Sequence, residues 1–174
     1  MSTLKTNAIT TVAGKPILNS TGSILQVVQT VKTNTFATSS TTPVDITGLS
    51  VSITPSSASS KILVSWLLNI GGFEHQDYYL LRNGTKIFFG DLSGNQTQAT
   101  HHVYAVANFY YSNWAASGQY LDSPSSTTAV TYKWQAAVPW SNTYTAGINY
   151  VVPNQNNAYN ARTPSEITVM EISA

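Results

Sequence analysis

The chain has 174 residues, a formal net charge of +1 at pH 7 and an isoelectric point near 7.9, and only 9% of its residues are Asp, Glu, Lys or Arg, against roughly 25% in ordinary soluble domains. It has no cysteine, which excludes disulfides, thiolate metal sites and a Cys nucleophile. It also lacks the Lys/Arg cluster that nucleic-acid binding requires and the run of about 18 apolar residues that membrane insertion requires.

Residues 1–22 read as an extended N-terminal arm. Leu4, Ile9, Val12, Ile17 and Leu18 are its isolated apolar residues, too few for an independent fold and suited to anchoring the arm on a partner. The opening MSTLKTNAITT has no apolar core, so no secretory leader is expected. The N-x-[ST] triplets at Asn19, Asn83 and Asn95 are therefore read as products of Ser and Thr abundance.

Residues 23–174 read as one β domain, since hydrophobic residues make up 42% of the chain, enough for a real core. Ile24–Lys32 is the first expected strand. Leu49, Val51 and Ile53 alternate with Ser50, Ser52 and Thr54, the pattern of a half-buried strand. Lys61–Ile70 places Ile62, Val64, Trp66, Leu68 and Ile70 on one face and Leu63 and Leu67 on the other, and is expected to be a central strand buried on both sides. Between Tyr78 and Phe89, Asn83-Gly84 signals a hairpin, because both turn residues need positive φ. His101–Tyr111, Ala129–Val138, Asn142–Val152 with a bend at Gly147, and Glu166–Ile172 complete the set. Val130, Tyr132, Trp134, Ala136 and Val138 are assigned to the core side. No stretch sustains helical periodicity. Eight or nine strands at this spacing predict an all-β fold, an antiparallel jelly-roll-like β-sandwich.

Chemistry-bearing residues are sparse. Glu74-His75-Gln76-Asp77, read as a loop after Gly71-Gly72, contains a His-x-Asp pair that could join a metal site or simply be a solvated loop. His101 and His102 point to opposite faces of a strand and cannot chelate one ion together; in a symmetric trimer one of them could meet its copies on the axis. No nucleophile elbow, zincin, P-loop or dinucleotide fingerprint occurs. No catalytic residue, metal or cofactor is therefore assigned. Trp114 and Trp140 lie among turn formers, and Tyr111 precedes the first of them. An aromatic ring flanked by amides can stack on a sugar face and bond its hydroxyls. The alternative is a plug closing the end of the sandwich or a subunit contact. Trp114, Trp140, Tyr111, Glu74, His75 and Asp77 are thus the candidate recognition residues.

Several segments carry a family resemblance: Leu4-Lys5-Thr6-Asn7 through Gly14-Lys15-Pro16-Ile17-Leu18-Asn19-Ser20-Thr21-Gly22, Ile24–Lys32, Thr47-Gly48-Leu49-Ser50-Val51-Ser52-Ile53-Thr54-Pro55, Leu81-Arg82-Asn83-Gly84-Thr85, Tyr120-Leu121-Asp122-Ser123-Pro124 and Ile167-Thr168-Val169-Met170-Glu171-Ile172. Together they resemble tail-fibre-like virion structural proteins of cyanobacterial and marine tailed phages. The resemblance implies a homotrimeric fibre or fibre tip with a head like those of tumour necrosis factor or C1q. It further implies that the arm docks on other virion proteins of tail, neck or capsid, and that the head faces the host surface, where a glycan is a possible ligand. A capsid decoration or head-fibre protein with a purely structural role is the second reading. A polysaccharide-degrading enzyme is the third, and it would need two of Asp77, Asp91 and Asp122 across one cleft.

Overall fold

The structure, a computed structural model, describes residues 21–105 and 112–174. Among them the regular elements are all strands: β1 (Ile24–Lys32), β2 (Phe36–Thr38), β3 (Val44–Ile53), β4 (Lys61–Gly72), β5 (Glu74–Arg82), β6 (Thr85–Ile87), β7 (His101–Ala105), β8 (Trp114–Asp122), β9 (Val130–Ala137), β10 (Ala146–Ile148) and β11 (Ser165–Ile172). The docking-arm residues Leu4, Ile9, Val12, Ile17 and Leu18, and Tyr111, lie outside the described residues.

The strands form two antiparallel sheets. One runs β1-β11-β4-β10-β2, with β8 on the other edge of β4; the second runs β3-β9-β5-β6, with β7 also paired to β5. The sheets share one core. Alternation supplies it from both sides: Ile62, Val64, Trp66, Leu68 and Ile70 from β4 meet Tyr78, Leu80, Val130, Tyr132, Trp134 and Ala136 from β5 and β9. Trp66 and Trp134 touch edge to face across the sheets, with ring centroids 5.3 Å apart, a favoured aromatic geometry. Each large apolar side chain fully removed from water contributes about 1.5–3 kcal/mol.

Local chemistry fixes the connections. Asn83 and Gly84 turn β5 into β6 with φ of 48° and 85°, as the hairpin signal requires. The turn is also tied to β9: Asn83 N donates to Thr131 O, and Thr131 N donates to Asn83 Oδ1, both at 2.8 Å. Elsewhere the buried Asn149 works as a bracket. Its Nδ2 donates to Lys32 O at 2.7 Å and Asn34 O at 3.0 Å, and its Oδ1 accepts from Ser165 Oγ at 2.5 Å. One side chain so joins the end of β1 to the start of β11.

Four expectations are corrected. Strand β4 is fully buried on one face only; Leu63 and Leu67 on the other are half-buried. The strand buried on both faces is β5, because Ala99 in the segment after β6 packs over Tyr79 and Leu81. Glu74–Asp77 is not a loop but the first half of β5, which begins at Glu74 with φ of 60°. Trp114 is not in a turn: it opens β8, a strand unforeseen in the sequence, where it is half-buried and paired with Ile70. The expected strand over 142–152 contracts to β10, centred on Gly147.

Candidate functional site: an aromatic cleft on the outer face of the second sheet

In β5, Tyr78 and Leu80 point into the core, so the alternating residues His75, Asp77, Tyr79 and Leu81 face outward. Antiparallel pairing with β7 sets Asp77 beside His102 and His75 beside Tyr104. His101 faces the other way, into the core, where its Nε2 accepts from Trp66 Nε1 at 2.8 Å. The expectation that the adjacent histidines serve opposite faces is met.

The outward residues form a chain of polar contacts. Asp77 is buried, with 1% of its side chain exposed. Its Oδ1 accepts from His102 Nδ1 at 2.7 Å and its Oδ2 from the Tyr79 hydroxyl at 3.2 Å. The carboxylate thereby orients the His102 ring, drawing its Nδ1–H toward the buried oxygen. His75 Nδ1 lies 3.3 Å from His102 Nε2, within hydrogen-bond distance, which extends the chain of polar contacts to the cleft. Burial, then the nearby Asp77 charge, push the Tyr79 hydroxyl pKa well above its ordinary value, so it stays a donor.

Aromatic surface surrounds this chain. The His75 ring stacks on Tyr104, centroids 4.6 Å apart and planes 26° from parallel, and lies 6.1 Å from the Trp140 ring. Tyr104 is 52% exposed and Trp140 74% exposed. His75, Asp77, His102, Pro139 and Trp140, with Gln96 and Thr97 from the segment after β6, line an open cleft of about 700 Å³, within the usual range of ligand pockets.

Of the sequence candidates, the fold therefore gathers Trp140, His75 and Asp77. Glu74 is their neighbour on β5 but does not line the cleft, and neither does Trp114. His102, Tyr104, Gln96 and Thr97 were not foreseen here. The alternation of His102 and Tyr104 in one strand was visible, but the β5–β7 register that brings them to His75 is a long-range property. Among the described residues no group of three or more His, Asp or Glu side chains is arranged to hold a metal ion. The three carboxylates considered for glycoside chemistry are differently placed. Asp122 is bound by Arg82 and Tyr132, Asp77 by His102 and Tyr79, and Asp91 lies exposed after β6. No known protein-family model matches the chain, and no curated protein matches it.

Proposed function

We propose that this chain is a virion structural protein, a short tail or neck fibre whose residues 1–22 dock on the particle and whose head, a jelly roll of the tumour necrosis factor or C1q type, binds a surface glycan of the host. The observation that carries the reading is the cleft. An exposed indole and an exposed phenol flank imidazole, amide and hydroxyl groups on a rigid sheet, the chemistry that stacks on a sugar ring and bonds its hydroxyls. The segments that resemble phage tail-fibre-like proteins supply the setting.

Self-association belongs to the same reading. Val27, Met170, Leu63 and Leu121 stand side by side across β1, β11, β4 and β8, an apolar row over four strands of the outer face of the first sheet. Val27 is 55% and Leu121 53% exposed. The next row is polar, Gln29, Thr168, Ser65 and Gln119, so the apolar row is bordered by hydrogen-bonding groups that can meet a different patch of a neighbouring copy, as the heterologous interfaces of a closed ring require. A second copy of this chain fits such a face, and a homotrimer follows from the resemblance.

Immunogold labelling of intact particles with antibody to this chain tests the assignment. Gold at the tail or neck is the expected result. Gold over the capsid would support the decoration reading instead, and unlabelled particles would overturn both. In an adsorption assay, Trp140→Ala is expected to reduce host binding without loss of thermal stability.

A further inference from the structure

A second, smaller cleft of about 380 Å³ lies on the same outer face, lined by Thr85, Lys86, Phe89, Thr97 and Gln98. Thr97 lines both clefts. The segment that carries it is held in place at several points: Gln98 Nε2 donates to Gly90 O at 2.8 Å, Thr100 N donates to Tyr78 O at 3.0 Å, and Thr100 Oγ1 accepts from Leu80 N at 3.0 Å. Ala99 packs on the sheet beneath. The segment is thus a fixed ridge with a cleft on each side. Tyr79 passes under it: its hydroxyl bonds Asp77 in the first cleft, and its ring carries Lys86 Nζ, 3.5 Å from the centroid, in the second.

The two clefts differ in charge. The carboxylate in the first is already satisfied by His102 and Tyr79. Lys86 is the one formal cation lining the second, and among the described residues it forms no ion pair, whereas Arg82 and Lys133 pair with Asp122 and Asp45. The Lys86 ammonium rests on the Tyr79 π face and feels the Asp77 charge beyond hydrogen-bond distance, and no described side chain takes its donors in a hydrogen bond. An exposed Phe89 ring lies beside it.

We propose that the two clefts form one extended site for an anionic oligosaccharide, with a sugar ring stacked at Trp140 and Tyr104, the chain crossing the ridge at Thr97, and a carboxylate or sulfate of a later residue held by Lys86. The proposal rests on the glycan-binding reading above and narrows it in two respects: the ligand spans more than one sugar, and it carries negative charge. Stacking on the first cleft is indifferent to charge; the ammonium in the second is where discrimination arises, through a charge-assisted hydrogen bond.

The test is an array of neutral and acidic oligosaccharides probed with the full chain, followed by titration of the best acidic ligand and its neutral counterpart, such as an oligouronate and its methyl ester. Acidic ligands are expected to bind about tenfold more tightly, a difference one charge-assisted hydrogen bond supplies. Lys86→Gln is expected to level the two affinities, Lys86→Arg to retain the preference, and Trp140→Ala to weaken both ligands together. Sulfated and carboxylated members of the array separate the two anions. Equal binding of acid and ester, with no change in Lys86→Gln, would overturn the proposal and leave the glycan reading standing. Binding of single sugars as tightly as longer ones would overturn the extended site alone. An array with no glycan bound would overturn both.

Discussion

The indole of Trp66 on β4 donates its Nε1 proton to Nε2 of His101 on β7 at 2.8 Å, a hydrogen bond joining the two sheets through the core. The imidazole also stacks on Trp134, centroids 5.8 Å apart. An acceptor at Nε2 must be unprotonated, so His101 is neutral in the folded chain, and burial holds its pKa below the ordinary histidine value.

The sign of the resulting pH dependence follows. Unfolded His101 takes up a proton near pH 6.5, whereas the folded residue does so only at lower pH. Between those values the unfolded state binds more protons, so stability rises with pH there. It is fully present above about pH 6.5 and is lost as pH falls below it. Melting temperatures measured from pH 8 to pH 5 are expected to decline on the acid side. His101→Gln offers the indole an acceptor that does not titrate, and it is expected to flatten the decline. Parallel curves for the two proteins would refute the assignment.

The same indole explains a glycine. Gly118 is the cross-strand partner of Trp66, and a Cβ at this position would come within 2.6 Å of the ring. The ring is wedged against Trp134 and cannot swing aside. Gly118→Ala is therefore expected to cost about 1–3 kcal/mol, the usual price of overpacking. Gly90, whose added Cβ would meet nothing within 4 Å, is the control. Chemical denaturation of both variants checks the difference, and equal stability would show that the sheet yields at β8.

Asp122 ends β8 as a buried carboxylate. Its oxygens accept from Arg82 Nη1 at 2.8 and 2.9 Å, and Oδ2 also accepts from the Tyr132 hydroxyl at 2.7 Å. Removing one member of a buried ion pair costs about 3–5 kcal/mol, because its partner is left uncompensated. Asp122→Ala is expected at the lower end of that range, since Arg82 keeps 31% of its side chain exposed and can rehydrate. Urea denaturation measures it, and a loss below that of an ordinary surface substitution would mean that the pair is replaced by water.

Some of this organisation was legible in the sequence. The strict alternation of Val130, Tyr132, Trp134 and Ala136 named a strand and its buried face correctly, and Asn83-Gly84 named a hairpin to the residue. Period-two burial and positive-φ turns are local, so sequence carries them. Strand β8 was not legible, because Ala115, Ala116, Ser117 and Gly118 have little β propensity. They are extended because β4 pairs with them along its length and because Trp66 needs a neighbour without a Cβ. Glu74-His75-Gln76-Asp77 misled for the same reason: four polar residues read as a loop, whereas pairing with β7 and β9 makes Gln76 and Asp77 buried strand residues. The same reasoning that singled out Trp114, which the fold instead places in β8, singled out Trp140, because it follows Pro139 among turn formers. Its companions His102 and Tyr104 depend on register, which no short window contains.

Glu171 on β11 yields a second pH signature at lower pH. Burial alone would raise its carboxyl pKa, but hydrogen bonds override it. Oε1 accepts from Ser56 N at 2.7 Å and Ser56 Oγ at 2.6 Å, and Oε2 accepts from Gln26 Nε2 at 2.6 Å, holding the pKa at about 2. With the folded value depressed, the stabilisation is present above the ordinary glutamate range and is lost as pH falls toward 2. Melting temperature is expected to drop through this window, and Glu171→Gln to start lower at neutral pH and show a shallower drop. An unchanged slope would place the acid-sensitive group elsewhere.

The apolar row on the first sheet makes the last prediction. Val27 and Leu121 lie at its two ends and are more than half exposed, so neither supports the core of its own chain. Lysine at either position is expected to leave the melting temperature of the separated chain within the range of ordinary surface substitutions, about 0.5 kcal/mol. Its effect on association is different. In a closed ring every copy presents the same patch, so one substitution places an ammonium in each interface against apolar surface, where an unpaired charge is costly. Sedimentation at micromolar concentration is expected to give a trimer for the natural chain and monomer for Leu121→Lys, with the strand signal of the two unchanged in circular dichroism. A natural chain that sediments only as monomer, or a Leu121→Lys trimer as stable as the natural one, would mean that this row does not hold the copies together.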